Sequence, residues 1–351
     1  MKRITLFFIL FFPLSVAFMS CSSPSRTVQY QQVDTDPYYT SAYPVMDVSS
    51  QLERIQQSII RITSTGRYVN YLIDRDDLTI EELEATDIEN VSSEQSVIEE
   101  TTAGTASVIG KNMLQALLLT CAHTIHFPET MISYREGENI PPETYIESVS
   151  VRQNQVNIAI TPFGIVYFDV LDQDNEADLA LIELSLMDME NENLRPLRIT
   201  MGESSNLKAG SFIYVLGYPR GFETVTSGIV SLPNRNSRND FMTDALFNRG
   251  ISGGVVIASK NNFRSFEWVG VAHAGVASYE YILVPDTDFI DRDQITRPYS
   301  GPVLSERKSE LNYGMTYAIS TQTISRFLDR NRSHIRRVNR LENLITPYED
   351  Y

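Results

Sequence analysis

An all-β fold, a sandwich or barrel closed by one C-terminal helix, is the class this sequence predicts. From Thr101 onward, short apolar or alternating runs follow one another between Gly, Pro, Asn and Asp, the rhythm of strands joined by turns. Almost no helical periodicity separates them. The exception is "STQTISRFLDRN" (320–331), which places Ile324, Phe327 and Leu328 on one face after a Ser/Thr cap.

Taken in order, the chain opens with "MKRITLFFILFFPLSVAFMSC", a basic start, an apolar stretch short for a bilayer span, and small residues before Cys21. Residues 1–20 therefore read as an export signal. Cys21, followed by two serines, resembles a bacterial lipoprotein acceptor site, which implies acylation there, a membrane anchor and a periplasm-facing location. Phe18 stands where Leu is usual, and simple cleavage after Ala17 is the competing reading. With Cys21 lipidated, Cys121 has no partner and no disulfide is expected. Residues 21–50 read as a flexible tether. A short helix carrying Leu52, Ile55 and Ile59 leads into the strand "SIIRI".

Residues 71–100 hold eleven Asp or Glu against one Arg, and the preferred reading is a solvated loop insertion. Strands follow at "TASVIG", "QALLLTCA", "SVSVRQNQVNIAI", "GIVYFDVL", "LALIELS", "SFIYVLGY", "VTSGIVSL", "GGVVIAS", "WVGVAHA" and "MTYAIS". A second insertion covers 277–311, and 336–351 is a tail. The net charge of −16 in 351 residues argues against nucleic acid or an anionic membrane surface as an electrostatic partner.

The chemistry gathers around "NRGISGGVVIAS" (248–259). A serine between glycines is a poor nucleophile unless a base and an orienting carboxylate reach it. Four histidines are available. His334 lies in a polar tail, and the default reading of His273 in "GVAHAGV" is structural. His123 and His126 follow the apolar run "ALLLTCAH", with His123 at the strand end. For the acid, Asp178 in "EADLALIEL" enters an apolar strand, a costly position unless an imidazole N–H satisfies it. The order His, Asp, Ser is that of chymotrypsin-like barrels.

"LTCAH", "ADLALIEL", "PLRITMGESSNLKAGSFIYVLGYPRGFETVTSGIVSL" and "TDALFNRGISGG" resemble the corresponding segments of trypsin-like serine proteases of the HtrA (DegP) type. The likeness covers roughly 52–330, without the PDZ domains that family carries. It implies a protease domain over 51–335 with two six-stranded barrels, about 52–190 and 196–330. It also implies His123, Asp178 and Ser252 as catalytic residues and the Gly250 and Ser252 amides as an oxyanion hole. A substrate pocket would have Leu246 at its floor and His273, Ala274 and Gly275 on its wall, with His273 touching Asp178 from the far side or pairing with substrate backbone. A leucine floor implies preference for small aliphatic residues.

Arg249 and Ile251 depart from the family's Pro and Asn or Asp. Substrates would be polypeptides, unfolded or misassembled envelope proteins, with no cofactor and with a homo-oligomer possible. Two other readings remain open at this point. One is a protease-shaped binding protein without activity. The other is a metal cluster of Cys121, His123 and His126, for which no fourth ligand is evident.

Overall fold

The computed structural model describes residues 39–41, 43, 46–135, 140–187, 194–273, 277–285, 303–311 and 316–338. The export signal, Cys21, Ala274 and Gly275 lie outside them.

Two closed six-stranded β-barrels form the body. The first uses β1 (Ile59–Ile73), β2 (Ser92–Lys111), β3 (Gln115–Thr120), β5 (Ile146–Thr161), β6 (Gly164–Asp174) and β7 (Leu179–Ser185). They pair in the order β1-β2-β3-β7-β6-β5, and β5 returns to β1 to close the ring. The short β4 (Thr130–Tyr134) joins the far end of β5. The second barrel is β10-β15-β12-β11-β8-β9. Its strands are β8 (Phe212–Gly217), β9 (Thr224–Leu232), β10 (Phe241–Thr243), β11 (Val255–Lys260), β12 (Ser265–His273) and β15 (Thr316–Ser320).

Three buried clusters explain why several strands read as unbroken apolar runs. Side chains alternate across a strand. Along β3, Ala116 and Leu118 fill the first barrel, while Leu117 and Leu119 face a separate core. On β7, Ala180 and Ile182 face in and Leu179 and Leu181 face out. In β11 the same division puts Val256 and Ala258 inside the second barrel and Val255 and Ile257 in the shared core. A strand buried on both faces has no polar side to show. The shared core seals the barrels together and receives Ile324, Phe327 and Leu328 of α4 (Thr321–Arg330). Ser320 caps that helix by accepting from the Thr323 N–H.

The structure corrects several expectations. The acidic segment is not a solvated loop. β1 and β2 continue through it as a paired ribbon to Ile73 with Ser92, and β5 pairs along the other edge of β1 as far as Leu72 with Ser148. The helix α1 (Ser49–Gln56) precedes β1, and the ribbon's tip carries α2 (Ile80–Glu84) and α3 (Ile88–Val91). Ile73, Leu78, Ile146 and Val149 form a small core beneath it, so the charges decorate a framework with its own apolar face. Residues 277–311 contain a hairpin, β13 (Ala277–Pro285) against β14 (Val303–Leu311). The end of the tether is docked on the second barrel. The Thr40 N–H donates to the Ser259 carbonyl, the Phe212 N–H donates to the Thr40 carbonyl, and Tyr39 is buried. At the other end, α5 (Arg332–Val338) runs into the stretch expected to be tail and buries Ile335 and Val338. Among the described residues, no helix is long and apolar enough to cross a membrane.

Candidate active site

Strand pairing builds the site. Thr120 at the end of β3 pairs with Ala180 on β7, so the turn Ala122–Thr124 and the residue entering β7 are neighbours. Asp178 occupies that entrance in a left-handed conformation, φ 54°, uncommon for a residue with a side chain. The arrangement is fixed from three sides. The Ala122 N–H donates to the Asp178 carbonyl (3.2 Å), and the His123 N–H donates to Asp178 Oδ1 (2.8 Å). His123 Nδ1 lies 2.7 Å from Oδ2.

His273, from the end of β12, places its own Nδ1 2.6 Å from the same Oδ2. Its ring stands edge-on to that of His123, centroids 5.4 Å apart. Burial alone would raise the Asp178 pKa, but the hydrogen bonds and charge of the two imidazoles outweigh it and hold the carboxyl well below its ordinary range. An ionised carboxylate only accepts, so each Nδ1 is the protonated nitrogen. In the neutral ring, His123 Nε2 is then left as an acceptor, the form a base requires.

Ser252 is buried at 2% exposure and lines the same cavity, about 960 Å³, as His123, Asp178, Gly250 and His273. Its loop is a tight turn in which the Ile251 N–H donates to the Asn248 carbonyl (3.1 Å) and Gly250 has φ +99°. Positive φ at the third position is the mark of a type II turn and demands glycine. A Cβ at Gly250 would also stand 2.5 Å from the Tyr218 carbonyl oxygen.

Barrel one grips this loop through Thr105, a residue the sequence reading passed over as ordinary strand. Its N–H donates to the Ser252 carbonyl (2.8 Å). Its hydroxyl donates to the Gly250 carbonyl (2.8 Å) and accepts from the Tyr218 N–H (2.8 Å). The Arg249 carbonyl is taken by the Arg220 N–H (2.7 Å). Because a trans peptide points its C=O and N–H in opposite directions, the Gly250 N–H is aimed away from Arg220.

The other candidate residues fall differently. His126 Nδ1 bonds Gln173 Nε2 (2.8 Å), so the proposed Cys121–His123–His126 cluster does not assemble. Cys121, His123, Asp178 and His273 do bring ligand atoms within 4.8 Å. In that group the carboxylate is already satisfied by three N–H donors, and burial, with the Asp178 charge adding, pushes the Cys121 thiol well up and keeps it protonated. Leu246 does not form a pocket floor. It is 58% exposed between the buried Ala245 and Phe247, so strand-like alternation turns it outward. Tyr317, Ala318 and Ile319 of β15 line the cavity instead.

Residues 104–264 match the family described as trypsin-like peptidase domain. The chain is 37% identical over 157 residues to a probable DegP-like periplasmic serine endoprotease of Hahella chejuensis, covering 40% of this chain and 32% of that protein. A similarly described protein of Buchnera aphidicola is 31% identical over 140 residues, 38% of this chain and 26% of that one. A probable do-like serine protease of the same species is 36% identical over 124 residues, 33% and 22% respectively. The matched stretch thus spans less than a third of each relative. Residues 104–264 are thus similar to a trypsin-like peptidase domain, and the matched relatives are described as DegP-like or do-like serine proteases.

Proposed function

We propose that the protein is a serine endopeptidase. Ser252 attacks a peptide carbonyl, His123 Nε2 takes the hydroxyl proton and returns it to the leaving amine, and Asp178 holds the imidazole in the required tautomer. The Gly250 and Ser252 amides receive the oxyanion, and water then hydrolyses the acyl-enzyme. The observation that carries this reading is the doubly anchored His123–Asp178 pair (2.8 and 2.7 Å) opening on the same cavity as Ser252. A serine-directed phosphonylating reagent should label Ser252, and Ser252→Ala should lose both label and peptide hydrolysis. A folded wild-type protein that neither labels nor cleaves any peptide would instead be a protease-shaped binding protein.

The DegP-like relatives are described as periplasmic, and the N-terminal sequence reads as an export signal ending at Cys21. Together they support an envelope protease, lipid-anchored through Cys21, acting on unfolded or misassembled polypeptides. Labelled palmitate should enter the wild-type protein and not Cys21→Ser. An unlabelled wild type would point to cleavage after Ala17.

A further inference from the structure

The charge of the cleft runs against the charge of the chain. The protein carries −16 overall, yet Arg61, Arg220, Arg235, Arg238 and Arg249 all line the cavity that holds Ser252. Among the described residues three carboxylates share it, Glu176, Asp178 and Asp240, and the latter two are engaged. Asp178 is held by two imidazoles. Arg238 donates to Asp240 (3.3 Å) and to the Glu176 carbonyl (2.7 Å). Arg235 stacks on Tyr317, 4.0 Å from the ring centroid.

Arg61 and Arg220 differ from these two. The Arg220 N–H holds the Arg249 carbonyl. The Arg61 guanidinium packs so closely on Gly221 that a Cβ there would lie 2.6 Å from Nη1. Arg61 and Arg220 therefore share one wall of the cavity with Gly250. Among the described residues, no carboxylate lies within ion-pair distance of Arg61 or Arg220. Arg61 Nε is buried with no hydrogen-bond partner, a costly state. Like charges gathered around an unsatisfied guanidinium nitrogen need an anion, and the planar guanidinium fork suits a carboxylate.

We infer that the cleft selects polypeptide segments with Asp or Glu close to the scissile bond, received by Arg61 and Arg220. This rests on the endopeptidase reading and names its substrate class. Acidic side chains remain hydrated until they reach the cleft, where the arginine wall replaces lost water with charged donors.

The test uses the full chain and three matched peptide sets carrying Glu, Gln or Lys within three residues on either side of the cleaved bond. Glu should exceed Gln in kcat/KM by about tenfold, the scale of one charged hydrogen bond, and Lys should be the poorest. The Glu/Gln ratio should fall towards one in Arg61→Gln and Arg220→Gln, and should shrink as salt rises. Arg220 is exposed, so its variant is informative even if Arg61→Gln does not fold. Equal cleavage of Glu and Gln peptides, or preference for Lys, would overturn the inference while leaving the protease reading intact. Direct binding of the same peptides to Ser252→Ala separates the two. Tighter binding of Glu peptides supports the arginine wall even without turnover, and equal binding removes it.

Discussion

At the scale of single residues, the site depends on who holds Asp178 Oδ2. Two imidazole N–H groups reach that atom, but only His123 also ties its backbone to the same carboxylate. His123→Ala should therefore be as damaging as Ser252→Ala, each lowering kcat by four orders of magnitude or more. His126→Ala should be nearly silent. His273→Ser should cost about tenfold, because it loosens an orienting group without removing the base. Steady-state kinetics on one peptide orders all four.

Folding lowers the Asp178 pKa, so its stabilisation is complete above the unfolded value of about 3.9 and is lost as pH falls through the lower folded value. Urea melts of the wild type and Asp178→Asn should therefore run at a constant separation from pH 7 to 5 and converge below pH 4. Three of these positions were legible in the sequence because their chemistry constrains them: a serine between glycines, a histidine closing a strand, an aspartate opening one. Thr105 was not, since a threonine in a strand reads as propensity alone. Leu246 was misread because spacing from Ser252 says nothing about which way an alternating segment turns.

At the scale of elements, the acidic ribbon shows what charge density hides. Its first strand carries the mostly apolar run "YVNYLI", but the flanking Glu and Asp residues outweigh that signal. The apolar partners that bury Ile73 and Leu78 come from β5, more than sixty residues further along. Composition within one window cannot supply a partner from elsewhere. Leu78 is fully buried there, and Leu78→Ala should cost the tip about 2–5 kcal/mol. Hydrogen exchange should show it as faster exchange confined to residues 73–91, with protection of β3 and β7 unchanged. A uniform loss across both barrels would mean the ribbon is part of the main cooperative unit. The C-terminal helix, by contrast, was fully readable. Its cap and apolar stripe are local, and the structure buries the three residues that the stripe names.

At the scale of the whole molecule, two barrels share one core, and the sequence announced it through runs such as "ALLL" and "LALI" that have no polar face. Leu119 and Leu181 sit at that seam, each 0% exposed. Alanine at either should cost about 2–5 kcal/mol and, because both barrels lean on the seam, should lower a single melting transition. Two separated transitions in calorimetry would show that the barrels unfold independently.

The grip of Thr105 on the nucleophile loop has a consequence for how the protein comes into being. The loop's carbonyls at Gly250 and Ser252 find their donors on β2, nearly 150 residues earlier in the chain. A polypeptide emerging from its N-terminus presents the clasp long before the part to be clasped. Neither half can set the turn alone, so the attacking geometry exists only once both barrels have formed and docked. On the endopeptidase reading, a partly emerged or partly folded chain would be harmless to itself and to its neighbours.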